Sequence, residues 1–363
     1  MKILFAGGGT LGPVTPLLAV AEALRLPADR HGASDPDASF AWAGTARGPE
    51  RALVEQAGIP FHAVPVARLT RYASAEWLVF PFKAAAALFA AWRLLRRERP
   101  DVVASAGGFT GVPFVLLARR FKIPSWIHQP DVRPVLSNRL CAGAASLITV
   151  AWPETAAAFP KDKTLVVGQP VRPSILRGDA SAARARYGFS GARPVALVLG
   201  GGGGSAWINR AFEAGMERMR AVADVIHVTG RGKVTEGLRA AGPGYAAVEL
   251  LLGRDLADAL AAADVVVARA GMGTLAELSA LRKPCVLVPL PRSPQEENAR
   301  AVLRRGAAVA VEQARGGTAL VAQVAALVGD KEKQRRLSER IGALFPGGAA
   351  ERLAERVRAL AGR

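Results

Sequence analysis

Asp101-Val-Val-Ala-Ser-Ala-Gly-Gly-Phe-Thr-Gly111 in the first half of the chain reads like Asp264-Val-Val-Val-Ala-Arg-Ala-Gly-Met-Gly-Thr274 in the second. Each runs on to a basic residue, a proline and a short apolar strand: Lys122-Ile-Pro-Ser-Trp-Ile-His128 and Lys283-Pro-Cys-Val-Leu-Val-Pro289. The halves also open alike. Lys2-Ile-Leu-Phe-Ala6 meets Gly7-Gly-Gly-Thr-Leu-Gly12, and Val195-Ala-Leu-Val-Leu199 meets Gly200 to Gly204. A buried strand that ends in glycines lets the backbone turn tightly and approach a ligand, and the next helix offers its N-terminus to anions. The duplication predicts an α/β protein of two Rossmann-like, doubly wound domains facing each other across a ligand cleft.

Outward from these stretches, strands are predicted at 3–6, 40–44, 61–66, 102–105 and 125–128. Helices at 16–24, 49–57 and 113–120 and a long one before Val102 separate them. A polar loop bearing Asp and Pro covers 31–39. A strand at 165–167 leads into Gly168-Gln-Pro-Val-Arg-Pro173, which reads as a linker. The expected domains are therefore 1–165 and 166–345, with the second alternation over 195–311. The tail from Lys331 is helical and broken at Pro346-Gly-Gly348. Its last helix, about 349–363, is long enough to pack back on the first domain.

The 363 residues, half of them hydrophobic, suit two domains with their own cores and exclude a disordered chain. Forty-eight Lys and Arg against 30 Asp and Glu give a net charge of +18. That favours an anionic partner (nucleic acid, phospholipid surface or phosphorylated substrate), or else reflects an Arg-rich composition. No nucleic-acid-binding motif accompanies the charge. Cys141 and Cys285 match no zinc or CxxC spacing, and His31, His62, His128 and His227 form no ligand pair, so no metal is expected. With no signal-peptide core and no apolar run of about 20 residues, the expected place is the cytoplasm.

Six stretches, in this order, resemble the MurG family of peptidoglycan glycosyltransferases over nearly the whole chain. They are Gly7-Gly-Gly-Thr-Leu-Gly-Pro-Val-Thr-Pro16, Ala106-Gly-Gly-Phe-Thr-Gly-Val-Pro113, Ile127-His-Gln-Pro-Asp131 with Asn138-Arg139, Gly168-Gln-Pro-Val-Arg172, Arg269-Ala-Gly-Met-Gly-Thr-Leu-Ala-Glu277, and Gln295-Glu-Glu-Asn-Ala299. The resemblance implies a GT-B fold with UDP-sugar on the second domain and acceptor on the first. It implies transfer of N-acetylglucosamine from UDP-N-acetylglucosamine to the 4-hydroxyl of the N-acetylmuramyl-pentapeptide of an undecaprenyl-linked acceptor, lipid I. The sugar is inverted, and lipid II forms on the cytoplasmic face of the membrane. No cofactor is implied, since UDP-N-acetylglucosamine is a substrate.

Carried over position by position, the donor residues are Thr10, Leu11, Gly12, Asp131, Arg172, Gly202, Ser205, Met272, Gly273, Thr274, Leu275, Ala276, Glu277, Gln295 and Asn298. Gly8, Gly9, Gly107 and Gly108 fall at the acceptor diphosphate. A helix starting near Thr274 points its positive end at the donor diphosphate. One turn in, Glu277 can accept from both ribose hydroxyls, or else is a solvated helix residue. Gln295 and Asn298, at i and i+3, share a face toward the hexose, or else are polar surface. Arg172 offers a fork suited to a diphosphate.

Three positions depart from the family, one of them Asp131, which stands where the family has an asparagine that meets the donor. The family's serine in the second glycine loop falls on Gly202, leaving Ser205 as the nearest hydroxyl. Its histidine in the first loop is Pro13, which neither accepts a proton nor donates a hydrogen bond. Asp131 is then the candidate base, or else a loop acid. Trp77, Phe80, Phe82 and Trp92 beside Lys83, Arg93, Arg96 and Arg97 suit an anionic membrane surface, or else a buried helix with a basic end. Three rival functions stand at this level: another lipid-linked GT-B transferase, a sugar-nucleotide epimerase, and a non-catalytic binder of lipid I or UDP-sugar.

Overall fold

The computed structural model describes residues 1–26, 35–67 and 76–362, with the backbone alone for 76–78. The chain divides into two compact units, Met1–Arg172 with Pro346–Arg363, and Pro173–Phe345. The expected boundary at 165 moves to 172, because a strand of the first sheet runs through it. Of the loop expected at 31–39, residues 31–34 lie outside the described residues, 35–38 form a turn, and Ser39 already begins a strand.

The first unit holds β1 (Lys2–Ala6), β2 (Ser39–Gly44), β3 (Phe61–Ala63), β4 (Val102–Ser105), β5 (Ser125–Gln129), β6 (Leu147–Val150) and β7 (Thr164–Val166). They form one parallel sheet in the order β3-β2-β1-β4-β5-β6-β7. The second unit holds β8 (Val195–Leu199), β9 (Asp224–Val228), β10 (Tyr245–Val248), β11 (Val265–Ala268), β12 (Cys285–Leu287) and β13 (Val309–Ala310), parallel in the order β10-β9-β8-β11-β12-β13. In both sheets the order runs 3-2-1-4-5-6, the doubly wound pattern of Rossmann domains. Strands such as Val195-Ala-Leu-Val-Leu199 are apolar at every position and wholly buried, as expected where helices cover both faces of a parallel sheet.

The repeated sequence is a repeated structure. The Asp101 carboxylate accepts from the N–H of Lys2 at 2.6 Å, and the Asp264 carboxylate from that of Val195 at 2.9 Å. Each aspartate thus ties the start of one central strand to the next. After the following helices, Gly111–Arg120 and Met272–Ala280, Lys122 (φ 57°) and Arg282 (φ 54°) both take the left-handed conformation. The next residue in each case bonds back into the helix, Ile123 N–H to Ala118 O and Lys283 N–H to Leu278 O, both at 2.9 Å, so the two helices end alike.

The last helix, Ala349–Ala361, belongs to the first unit. Its Leu353, Ala354, Val357 and Leu360 are buried in one cluster with Leu17, Val20 and Leu24 of the helix Thr15–Arg25. Arg352 Nη2 adds a hydrogen bond to Val167 O at 3.0 Å.

Candidate functional site

In the second unit β8 and β11 are neighbours, so the loops that follow them stand together where the strand order reverses. Gly204 has φ +70°, and a side chain there would meet Thr229 O at 2.1 Å, so only glycine fits. Its N–H donates to Gly201 O at 2.9 Å. Among the described residues the N–H groups of Gly201, Gly202 and Gly203 have no acceptor. Arg269 crosses beneath the loop: Nη2 donates to Ser205 Oγ at 2.7 Å and Nη1 to Val288 O at 3.0 Å. Partial burial lowers the pKa of this guanidinium, which stays a cation at neutral pH.

Ser205 is the N-cap of the helix Ala206–Ala214, accepting from Ile208 N–H at 3.3 Å, and is buried. The hydroxyl expected to reach the donor instead caps a helix and takes Arg269. Gly202 lies exposed at mid-loop.

The helix after β11 begins at Met272 rather than Thr274, and Gly271 caps it with no side chain. First-turn N–H groups, those of Gly273 and Thr274 among them, lack partners within the helix and lie at its positive end. Leu275 and Ala276 are buried and serve the core, whereas Glu277, on the next turn, keeps 9% of its surface exposed. Gln295 Oε1 accepts from Leu290 N–H at 3.1 Å. Asn298, expected beside Gln295 at the sugar, is completely buried, and its Nδ2 donates to Ala270 O at 3.2 Å. It clamps the turn that carries the helix N-terminus. Asn298 therefore holds the site from behind. Sequence reasoning also missed Lys233, whose Nζ donates to Gly203 O at 2.6 Å. Thirty residues separate the two, and only the β8–β9 pairing brings them together.

In the first unit the loops after β1 and β4 abut in the same way. Gly108 (φ +84°) lies so close that a side chain would meet Gly8 O at 3.3 Å and the Pro13 ring at 3.8 Å. Among the described residues no acceptor meets the N–H groups of Gly8, Gly9, Thr10, Leu11 and Gly12, ahead of the helix Thr15–Arg25. The N–H groups of Gly107 and Gly108 are already taken, by Ser105 Oγ at 3.3 Å and Ser137 Oγ at 3.0 Å. Of the two glycine loops expected at the acceptor diphosphate, only the first therefore has N–H groups without an acceptor among the described residues.

Below this loop runs a buried relay. Trp126 Nε1 donates to Thr149 Oγ1 (2.8 Å), whose hydroxyl donates to His128 Nδ1 (2.9 Å). Because Gln169 Oε1 (2.9 Å) can only accept, the neutral ring is assigned its hydrogen on Nε2, and Nδ1 is the acceptor toward Thr149. Burial pulls the His128 pKa down to about 4, so the ring is neutral and both its nitrogens are engaged. It is no base. Asn138 Nδ2 joins the relay through His128 O at 2.8 Å. Asp131, just past β5, is half-exposed, and Gln129 Nε2 donates to its carbonyl at 2.9 Å. Arg172 is half-buried and closes the unit.

The helix Glu76–Glu98 buries Ala87, Ala91, Leu94 and Leu95 and turns Phe82 (78% exposed), Phe89 (61%) and Trp92 (37%) to the surface. Phe89 stacks on Trp92, and the Arg96 guanidinium sits 4.9 Å above the Trp92 ring. Lys83, Arg93 and Arg97 are exposed beside them, and Phe80 is half-buried. The helix is thus buried on one face and exposes aromatic and basic side chains on the other. The side chain of Trp77 lies outside the described residues. Among the described residues no helix is long and apolar enough to cross a membrane, and no cluster of three His, Cys, Asp or Glu could hold a metal ion.

Residues 3–149 match the glycosyltransferase family 28 N-terminal domain and residues 195–353 its C-terminal domain. Two relatives named UDP-N-acetylglucosamine--N-acetylmuramyl-(pentapeptide) pyrophosphoryl-undecaprenol N-acetylglucosamine transferase cover almost all of the chain. That of a Nocardioides species is 37% identical over 98% of this chain and 96% of its own, and that of Desulforudis audaxviator is 36% identical over 100% and 99%. The crystal structure of Acinetobacter baumannii MurG superposes with a TM-score of 0.71 at 21% identity, covering 99% of both chains, and so shares the fold. With two Rossmann-like units of GT-B type, this chain belongs to glycosyltransferase family 28, among the relatives of MurG.

Proposed function

We propose that this glycosyltransferase moves N-acetylglucosamine from UDP-N-acetylglucosamine to the muramyl 4-hydroxyl of lipid I, giving lipid II. The observation that carries this reading is the 37% identity to such a transferase along 98% of the chain. The second unit offers what a departing UDP requires: open N–H groups on Gly201 to Gly203, the N-terminus of the helix Met272–Ala280, and the Arg269 cation below them.

In the proposed reaction the acceptor hydroxyl attacks the anomeric carbon from the face opposite UDP. The carbon–oxygen bond to the diphosphate breaks, its electron pair leaves with UDP, and the sugar inverts. The hydroxyl proton passes to a base. With Pro13 inert and His128 neutral and engaged, Asp131 is the proposed acceptor of that proton. Glu277 is proposed to accept from the ribose hydroxyls, Gln295 to address the hexose and Arg172 the donor phosphates. In the open first loop, Gly8 and Gly9 are proposed to receive the lipid diphosphate, and Thr10, Leu11 and Gly12 to face the donor. No cofactor enters this scheme.

The exposed Phe82, Phe89 and Trp92 with their cationic border suit insertion at an anionic membrane surface, where a polyprenyl substrate resides. A peripheral position on the cytoplasmic face follows from that reading. Calorimetric titration with UDP-N-acetylglucosamine tests the donor half. Binding should weaken by about 1–3 kcal/mol in Glu277→Ala, the cost of stranding the ribose hydroxyls. Unchanged affinity in the folded variant removes Glu277 from the site.

A further inference from the structure

We infer that Lys233 is a donor-phosphate residue, giving the Gly200–Gly204 loop the side-chain contact that Gly202 does not provide. The inference rests on the donor reading above and names a residue that the six motifs do not contain.

The position of Lys233 is built rather than incidental. Its N–H donates to Gly230 O at 3.1 Å, closing a turn after β9. Asn209 Nδ2 reaches from the neighbouring helix to Thr229 O at 3.0 Å and Lys233 O at 3.4 Å, which fixes that turn against the loop. Gly204 fits against Thr229 only because it has no side chain. From this base the side chain bends back until Nζ meets Gly203 O at 2.6 Å. Among the described residues no carboxylate pairs with the ammonium, and the nearby Glu249 carboxylate accepts from Gly232 N–H instead.

An ammonium has three protons, and the Gly203 carbonyl uses one. The other two are free for a ligand of this loop, where the N–H groups of Gly201 to Gly203 have no protein acceptor among the described residues. At the same loop, the position where a Gly201 side chain would project is 3.7 Å from Arg269 Cγ. Both cations thus touch the loop, Lys233 at Gly203 O and Arg269 at Ser205 Oγ, so a diphosphate on its amides would gain from each charge. A serine hydroxyl at residue 202 would give one neutral hydrogen bond, whereas Lys233 gives a charge that acts on both phosphates.

Calorimetric titrations of the whole protein with UDP and with uridine test this. Lys233→Gln keeps an N–H donor for Gly203 O and removes the charge, and Lys233→Arg keeps the charge. We expect the Kd of UDP to rise roughly tenfold in Lys233→Gln and to stay within about threefold in Lys233→Arg, with uridine affinity unchanged in both. The salt dependence of UDP binding should also flatten in Lys233→Gln. Unchanged UDP affinity in Lys233→Gln overturns the inference. So does an equal loss for UDP and uridine, which marks Lys233 as a mere tether of the loop. If the wild-type protein fails to bind UDP, the donor reading itself falls, and this inference with it.

Discussion

His128 on β5 and His227 on β9 are enclosed in their sheets, and burial lowers both pKa values to about 4. His227 Nδ1 accepts from the Tyr245 hydroxyl (2.7 Å), and its Nε2 donates to Asn209 Oδ1 (3.1 Å). Between about pH 6.5 and 4 the unfolded chain binds protons that the folded chain refuses. Stability is therefore full above that window and is lost as pH falls through it, by on the order of 3 kcal/mol per histidine. Thermal unfolding between pH 7 and 4 should show a shallower loss of Tm in His227→Gln than in wild type, and equal slopes would contradict the account. Sequence alone could not set these two histidines apart from His62, which is half-exposed. The same limit governs Asn298 and Ser205. Their chemistry suits a ligand, but the direction in which a side chain points depends on packing that local sequence does not encode. Glycines forced by close approach, such as Gly204, were legible because no other residue fits.

At the scale of elements, the alternation of strands and helices was legible in both halves, because strands buried on two faces are continuously apolar. Boundaries were less so. The third strand ends at Ala63 rather than 66, and the first-unit sheet includes β7, which carries the domain boundary on to Arg172. The loop after β4 resembles an anion turn in sequence, yet Ser105 and Ser137 satisfy its glycine N–H groups. Ser137 lies 29 residues further along the chain, so that pairing is invisible in the motif. The helix Glu76–Glu98 shows the reverse. Its aromatic and basic composition suggested a surface, and the structure adds Phe89 as a second strongly exposed ring. Replacing Phe82, Phe89 and Trp92 together by Ser should reduce sedimentation with anionic liposomes and leave UDP affinity intact. Sedimentation equal to wild type would show that the helix does not hold the protein on membranes.

For the whole molecule, one strand order used twice, each time with open N–H groups at its reversal, is what the repeated Asp-Val-Val stretches signalled. The charge of +18 gains a location in the cations around Phe82 and Trp92 and in those at the second glycine loop. Glycosyl transfer should proceed in this chain although Pro13 stands where the family resemblance implies a histidine. Orientation and leaving-group stabilisation supply much of such catalysis, so turnover should survive that loss. The most direct measurement incubates the protein with labelled UDP-N-acetylglucosamine and a lipid I analogue, beside the variant Asp131→Asn. Wild type should yield labelled disaccharide-lipid. In the variant, kcat should fall by roughly 10²–10⁴ with donor affinity nearly unchanged. A variant with wild-type kcat would clear Asp131 of the base role, and absence of any disaccharide-lipid from wild type that binds both substrates would contradict the account.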